Sequence, residues 1–115
     1  MIIKKEQAIQ RELVPGVHQI HYIDKVTGTG GVSMGTVTLQ PGAALKVHKH
    51  KVEDAMVIIE GKGIFILGDK EYPIEEGMAV YAPAATPHGL KNNSDAPLRI
   101  VYTFPAVDVE RYFVE

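Results

Sequence analysis

Short apolar runs, separated at close intervals by glycine and proline, make up the hydrophobic pattern of this chain. Gly and Pro in such positions are typical of turns and strand ends. The runs are rich in Val, Ile, Tyr, Phe and Thr, and each has the length of a single strand. We predict strands over 17–24, 32–39, 54–60, 63–67, 79–83 and 98–105. Many short strands at this spacing predict an all-β sandwich or barrel.

The pattern leaves room for short helical turns and for no long helix. One turn is predicted at Asp108, where the stretch DVERYFV places an N-cap residue before an acidic first turn. A second turn is predicted within residues 5–13. The expected fold is therefore all-β with at most two helical turns.

Composition narrows the class of protein further. The 115 residues, with no linker and no internal repeat, predict a single domain over 1–115. The absence of cysteine excludes disulfides and thiol nucleophiles, and a net charge of −2 provides no basic field for nucleic acid or anionic lipid. The chain has no apolar run of membrane-spanning length, and its first residues do not resemble a signal peptide. We expect a cytoplasmic protein.

The five histidines of the chain include one pair, His48 and His50, with a spacing suited to metal binding. Alternate residues of a strand face the same side, so the two rings lie together while Lys49 faces away. The alternative is a pair of surface histidines on a strand edge. His18 and His21 are three residues apart and face opposite ways, so at most one of them enters the interior. We interpret both as structural or surface residues.

Two spaced motifs frame the histidines. In the first, Gly42 is followed at fixed intervals by His48, His50, Asp54 and Gly61. In the second, Gly77 is followed by Pro83, Ala85, His88 and Asn92. The two motifs resemble those of the cupin superfamily, small single-domain (cupin_2-like) members included, with Asp54 where the family usually has Glu and Ala85 where it usually has Gly.

The resemblance implies an antiparallel double-stranded β-helix, or jelly-roll barrel, with a metal ion inside. His48, His50 and His88 take the positions of the family's histidine ligands, and Asp54 takes the carboxylate position. This donor set fits one divalent transition metal ion per chain, Fe, Mn, Ni, Zn or Cu, without choosing among them. Asp54 is one methylene shorter than Glu, so it binds either directly or through a water. Ala85 costs about 1 kcal/mol if its position needs a positive φ.

The wall of the barrel is expected to supply a small and mostly apolar pocket. Side chains with the parity of the histidine pair, or on facing strands, are the candidates, and the alternative for each is plain barrel core. The candidates are Tyr22, Met34, Thr36, Met56, Ile58, Tyr81, Tyr102 and Phe104.

Two functions of different kinds fit these features. The first is a metal-dependent enzyme of the dioxygenase, decarboxylase, lyase or isomerase type, acting on a small organic acid, diketone or sugar derivative. The second is a non-catalytic cupin that senses or stores a small ligand. We also expect a homodimer that pairs through the N-terminal segment Met1-Ile2-Ile3 and the strand at 17–24.

Overall fold

The chain folds into two antiparallel sheets in a computed structural model, which describes residues 1–28 and 30–113. Strands of the first sheet, in their order across it, are β1 (Ile9–Val14), β2 (Val17–Ile23), β3 (Ser33–Leu39), β10 (Leu98–Phe104), β5 (Asp54–Glu60) and β8 (Ala79–Ala82). Strands of the second sheet are β11 (Tyr112–Phe113), β4 (Ala44–Lys49), β9 (His88–Lys91), β6 (Lys62–Leu67) and β7 (Lys70–Glu75). The arrangement confirms the predicted all-β jelly-roll class.

The predicted helical turns have different outcomes. A 3-10 helix occupies Lys5–Gln7, inside the range predicted for one of them, but the rest of that range becomes β1. The turn predicted at Asp108 is wrong. Asp108 has φ of 53°, which lies in the left-handed region and cannot begin a right-handed helix. Within the described residues, none after Gln7 is helical.

Alternation of buried and open positions along β3 and β10 sets the core. The two strands pair directly, with Leu39 opposite Leu98 and Val37 opposite Ile100, so their apolar residues share one face. These four residues are buried, and they belong to the same buried cluster as apolar residues of the second sheet. The site described below lies between the two sheets, where this core gives way to histidines.

Gly61 lies at the point where the chain leaves the first sheet for the second, between β5 and β6. Its φ is +82°, and a Cβ at this position would lie 2.2 Å from the backbone oxygen of Pro97. Both observations require glycine, which explains its place at the end of the first motif. The crossing carries the chain from the strand that begins with Asp54 to one that pairs with the strand of His88.

Edge positions bear on the expected homodimer. β2 is paired on one side with β1 and on the other with β3, so it offers no free edge. The prediction that the strand at 17–24 supplies an edge for dimer pairing is therefore wrong. β1 covers it, because residues predicted to lie in a helical turn pair with it as a strand. No helix among the described residues is long and apolar enough to cross a membrane.

Candidate metal centre

The two histidine motifs meet through the pairing of β4 with β9. In this antiparallel pair His48 lies directly opposite His88. His50 follows the end of β4, and its backbone oxygen accepts a hydrogen bond of 2.7 Å from the nitrogen of Ala85. His48 and His88, which are 40 positions apart in sequence, are thus held side by side by backbone pairing.

The three imidazole rings form one buried cluster. Their exposed fractions are 2% for His48, 3% for His50 and 2% for His88. Ring centroids are 4.5 Å apart for the pair His48 and His88, 4.9 Å for His48 and His50, and 5.3 Å for His50 and His88. One ring nitrogen from each lies within 4.8 Å of the others. The three side chains could hold a metal ion.

Backbone carbonyls fix which nitrogen of each ring is available. Nδ1 of His48 donates to the oxygen of Lys46 at 2.7 Å, and Nδ1 of His88 donates to the oxygen of Thr86 at 2.9 Å. Nδ1 of His50 donates to the oxygen of Glu110 at 2.7 Å. A carbonyl accepts and cannot donate, so Nδ1 carries the proton in the neutral ring and Nε2 keeps its lone pair. Such outer hydrogen bonds orient histidine ligands in metal proteins.

Asp54 brings a carboxylate to the same cluster. It is 4% exposed, and its Oδ2 lies 3.2 Å from Nε2 of His88 and 3.8 Å from Nε2 of His50. Oδ1 of Asp54 and Nε2 of His50 are buried and have no hydrogen-bond partner among residues 1–28 and 30–113. Buried polar atoms normally have partners, so these two atoms fit a group that both could bind. The donor set of imidazoles and a carboxylate fits a transition metal ion.

Burial keeps two of the imidazoles, those of His48 and His50, neutral. It lowers the pKa of His48 from 6.5 to about 3, an effect only partly opposed by the hydrogen bond to Lys46. Burial also lowers the pKa of His50. A metal binds the neutral form of imidazole, so at neutral pH both rings are already in the form that a ligand needs.

Two cavities adjoin the cluster. The inner cavity, of about 20 Å³, is lined by His48, His88 and Asp54, with an otherwise mostly apolar wall, and has room for an ion or a water. The outer cavity, of about 210 Å³, is lined on one side by His50. Phe104 and Arg111 line both spaces. A small molecule in the outer cavity would therefore lie beside the histidine cluster.

Among the residues predicted to line the pocket, Met56, Tyr102 and Phe104 line the inner cavity. Ile58 is buried in the core. The assignment of Tyr22 and Thr36 to this pocket is corrected, because they line a separate groove beside Lys5 and His18.

Met34 and Tyr81 also lie elsewhere, with exposed fractions of 38% and 53%. The parity assumed for β3 was off by one residue: Gly35 faces Tyr102, so its neighbours Met34 and Thr36 face outward. Tyr81 alternates with the buried Ala82, and its hydroxyl donates to Glu53.

Tyr102 connects the inner cavity to a polar chain that the sequence did not reveal. Its hydroxyl accepts a hydrogen bond of 2.8 Å from Nε2 of Gln19 and lies 2.6 Å from Nδ1 of His21. Nε2 of His21 lies 3.3 Å from Oδ2 of Asp24. His21 is thus the member of its pair that enters the interior, while His18 is exposed beside Gln10. Burial raises the pKa of Tyr102, which keeps its hydroxyl protonated.

Arg111 is the other residue of the site that sequence reasoning missed. It precedes the two-residue strand β11, which pairs with β4 and places Phe113 opposite His48. Burial lowers the pKa of Arg111, although its guanidinium remains a cation at physiological pH. Its position near the chain end, outside both histidine motifs, gave no periodic or motif signal.

Among the known proteins that are similar in sequence, two align with most of this chain but with only part of their own length. An uncharacterized protein of Methanocaldococcus jannaschii is 29% identical over 103 residues, which cover 86% of this chain and 74% of that protein. A glucose-6-phosphate isomerase of Pyrococcus abyssi is 28% identical over 119 residues, which cover 91% of this chain and 59% of the isomerase. The chain thus spans only part of the length of each relative.

A solved structure shares the fold over the whole chain. The polyketide cyclase RemF from Streptomyces resistomycificus superposes with a TM-score of 0.81 at 18% identity, covering 100% of this chain and 87% of the cyclase. The profile of the cupin domain family (Cupin_2) matches residues 35–104, which include both histidine motifs and most strands of the two sheets. With this match over more than half of its length, the chain belongs to the cupin domain family.

Proposed function

We propose that this protein is a metal-dependent enzyme acting on a small organic acid, diketone or sugar derivative. The observation that carries the proposal is the orientation of the three imidazoles, whose Nδ1 atoms are all bonded to backbone carbonyls. Because Nδ1 is occupied in each ring, Nε2 of His48, His50 and His88 is available to bind a metal ion beside the carboxylate of Asp54. One divalent ion, Fe, Mn, Ni, Zn or Cu, would be held by these four residues in each chain.

A bound ion supplies Lewis-acid stabilisation of negative charge that develops on an oxygen of the substrate. The protein's own groups do the rest. Phe104 and the apolar wall limit water at the histidine cluster, which strengthens electrostatic interactions there. Tyr102 lines the same cavity, and its contact with His21 provides a route by which a proton passes from the cavity towards Asp24.

An isomerase among the sequence relatives supports the enzyme. The isomerase name also supports the inclusion of sugar derivatives among the substrates. Cytoplasmic location and a homodimer remain part of the proposal, and sedimentation equilibrium tests the latter.

The experiment that tests the metal centre measures metal content by elemental analysis after separate reconstitution with Fe, Mn, Ni, Zn and Cu. We expect about one ion per chain in the wild type, and a loss of binding in the variant His88→Ala. The matched control is His18→Ala, which removes an exposed histidine that lies outside the cluster and is expected to bind as the wild type does. A wild type that holds none of the five metals contradicts the proposal.

Catalysis is tested on the reconstituted protein with small carboxylic acids, diketones and sugar derivatives, followed by NMR of the products. Turnover that disappears in His88→Ala supports the enzyme. A ligand that raises the melting temperature without any turnover across the panel favours the non-catalytic binding function instead.

A further inference from the structure

Arg111 lies beside the histidine cluster, in the wall of both cavities. Its side chain lines the inner cavity together with His48 and Asp54, and it lines the outer cavity together with His50. A ligand in the outer cavity therefore lies against a wall that contains both Arg111 and His50. This places a permanent positive charge beside the candidate metal centre.

Among the described residues, no hydrogen bond to Nε and no ion pair holds the guanidinium of Arg111. Its Nε is buried without a hydrogen bond, and the described part of the chain offers it no ion pair within 4.0 Å. Arg99 provides the contrast, with contacts to Glu60 at 3.9 Å and to the hydroxyl of Thr38 at 3.3 Å. Arg111 is partly buried, and a cation that has lost part of its hydration without gaining an ion pair is costly, so its position favours a ligand that supplies a negative charge.

The acidic residues that line the outer cavity already have other partners. Asp24 contacts His21 at 3.3 Å and accepts backbone hydrogen bonds from its own turn. Asp108 pairs with Lys25 at 3.4 Å. The fork of an arginine matches the two oxygens of a carboxylate, and such charge-assisted pairs are among the strongest hydrogen bonds in proteins.

We propose that Arg111 binds a carboxylate group of the substrate and turns it towards the three histidines, which makes small carboxylates the ligand class of this site. The inference rests on the proposed function, since it deepens that function by naming the substrate class. The charge of the centre points the same way. A divalent ion beside the single negative charge of Asp54 and the positive charge of Arg111 leaves a net positive site, which an anionic substrate neutralises.

The test uses malonate as the probe and malonamide, its uncharged analogue, as the comparison. Binding is measured by calorimetry on the full chain in two forms, one stripped by a chelator and one reconstituted with a single metal. We expect malonate to bind the wild type and Arg111→Gln to weaken that binding by about 10- to 100-fold in both forms, the loss typical of a charge-assisted hydrogen bond. Arg111→Lys keeps the positive charge but lacks the two-pronged guanidinium, so its malonate affinity is expected to lie between those of the wild type and Arg111→Gln.

Arg99→Gln is the matched control, because it removes a guanidinium on the outer surface and is expected to leave malonate binding unchanged. Equal affinity of the wild type and Arg111→Gln, or no malonate binding in either form, overturns the inference. Malonamide that binds as tightly as malonate, or inorganic phosphate that binds more tightly, overturns the carboxylate assignment. A wild type that takes up no metal but binds malonate through Arg111 overturns the proposed function and leaves this inference standing.

A second measurement does not depend on the folding of a variant. The Nε–H group of a buried arginine gives its own signal in a nitrogen–proton NMR spectrum of the wild type. We expect malonate, and not malonamide, to shift the Arg111 signal. A signal that malonate leaves unmoved at saturating concentration overturns the inference.

Discussion

Asp54 is the residue whose own chemistry most affects the candidate metal centre. Its Oδ2 is 3.2 Å from Nε2 of His88, while its Oδ1 is buried with no hydrogen-bond partner in the part of the chain that the structure describes. Nε2 of His50 and Nε2 of His88 both lie within 4 Å of Oδ2 of this carboxylate. Lone pairs on nitrogen and oxygen repel each other at this distance, so either a proton or a metal ion has to lie between them. Burial lowers the pKa of His50, which disfavours the proton and leaves the ion as the better match.

We expect Asp54→Asn to weaken metal binding by about 10- to 100-fold, because the amide keeps the shape of the carboxylate but removes its negative charge. The measurement is a competition titration against a chelator whose colour reports the free metal. Asp54→Glu, which restores the side chain more usual in this family, is expected to bind at least as tightly as the wild type. Glu53→Gln is the control, since Glu53 instead accepts a hydrogen bond from the exposed Tyr81. An affinity that is equal in Asp54→Asn and the wild type excludes a role for this carboxylate.

The turn before β9 shows how an element is aligned by one strained residue. Ala85 has φ of 60°, a conformation that favours glycine, and its nitrogen donates to the oxygen of His50 at 2.7 Å. The turn thus tolerates the strain and holds the second histidine motif against the first. The resemblance to the family predicts a conformational cost for Ala85 if its φ is positive, and the backbone has that positive φ.

Ala85→Gly is expected to stabilise the protein by up to about 0.6 kcal/mol, because relief of a left-handed strain of about 1 kcal/mol outweighs the added freedom that glycine gives the unfolded chain. Urea unfolding of the metal-free protein measures the change. Ala84→Gly is the matched control: Ala84 is exposed, has no positive φ, and the change should destabilise by about 0.4–1 kcal/mol. If both variants lose stability equally, strain at Ala85 is not what sets the energy of this turn.

Strands rich in β-branched and aromatic residues could be predicted, and shorter or more polar strands could not. The runs at 17–24, 32–39 and 98–105 are rich in Val, Ile, Tyr, Phe and Thr, and they form β2, β3 and β10. β7 has the sequence KEYPIE, whose charges and proline are untypical of a strand. It lies at the edge of its sheet and pairs with β6. β9 has four residues and owes its existence to pairing with β4 and β6 on either side.

The same contrast holds for the site. The histidines and Asp54 stood in spaced motifs, and backbone pairing brings them together. Inward parity on β3 was misassigned, because the inward residue next to Tyr102 is Gly35, whose missing side chain gives no hydrophobic signal. Arg111 reaches the cavity through the pairing of β11 with β4, a contact between distant segments that no local pattern encodes.

At the scale of the whole molecule, the two sheets bury imidazoles that the unfolded chain leaves in water. His48 is 2% exposed, and burial takes its pKa from 6.5 to about 3. Between these values the unfolded chain binds a proton on this ring that the folded chain does not. Folding stability therefore rises with pH through this window and is lost as the pH falls from 6.5 towards 3.

We expect the urea midpoint of the metal-free protein to fall steadily from about pH 6.5 to about pH 5, a window in which histidines titrate and most carboxylates do not. One such imidazole contributes a slope of up to about 1.4 kcal/mol per pH unit, and His50 adds to it in the same direction. His48→Gln should flatten the slope, whereas His18→Ala, which removes an exposed imidazole, should keep it. Metal should raise the midpoint most at the upper end of the window, since protons compete for the same nitrogens. A midpoint of the metal-free wild type that stays constant across the window would show that folding does not hold these imidazoles neutral.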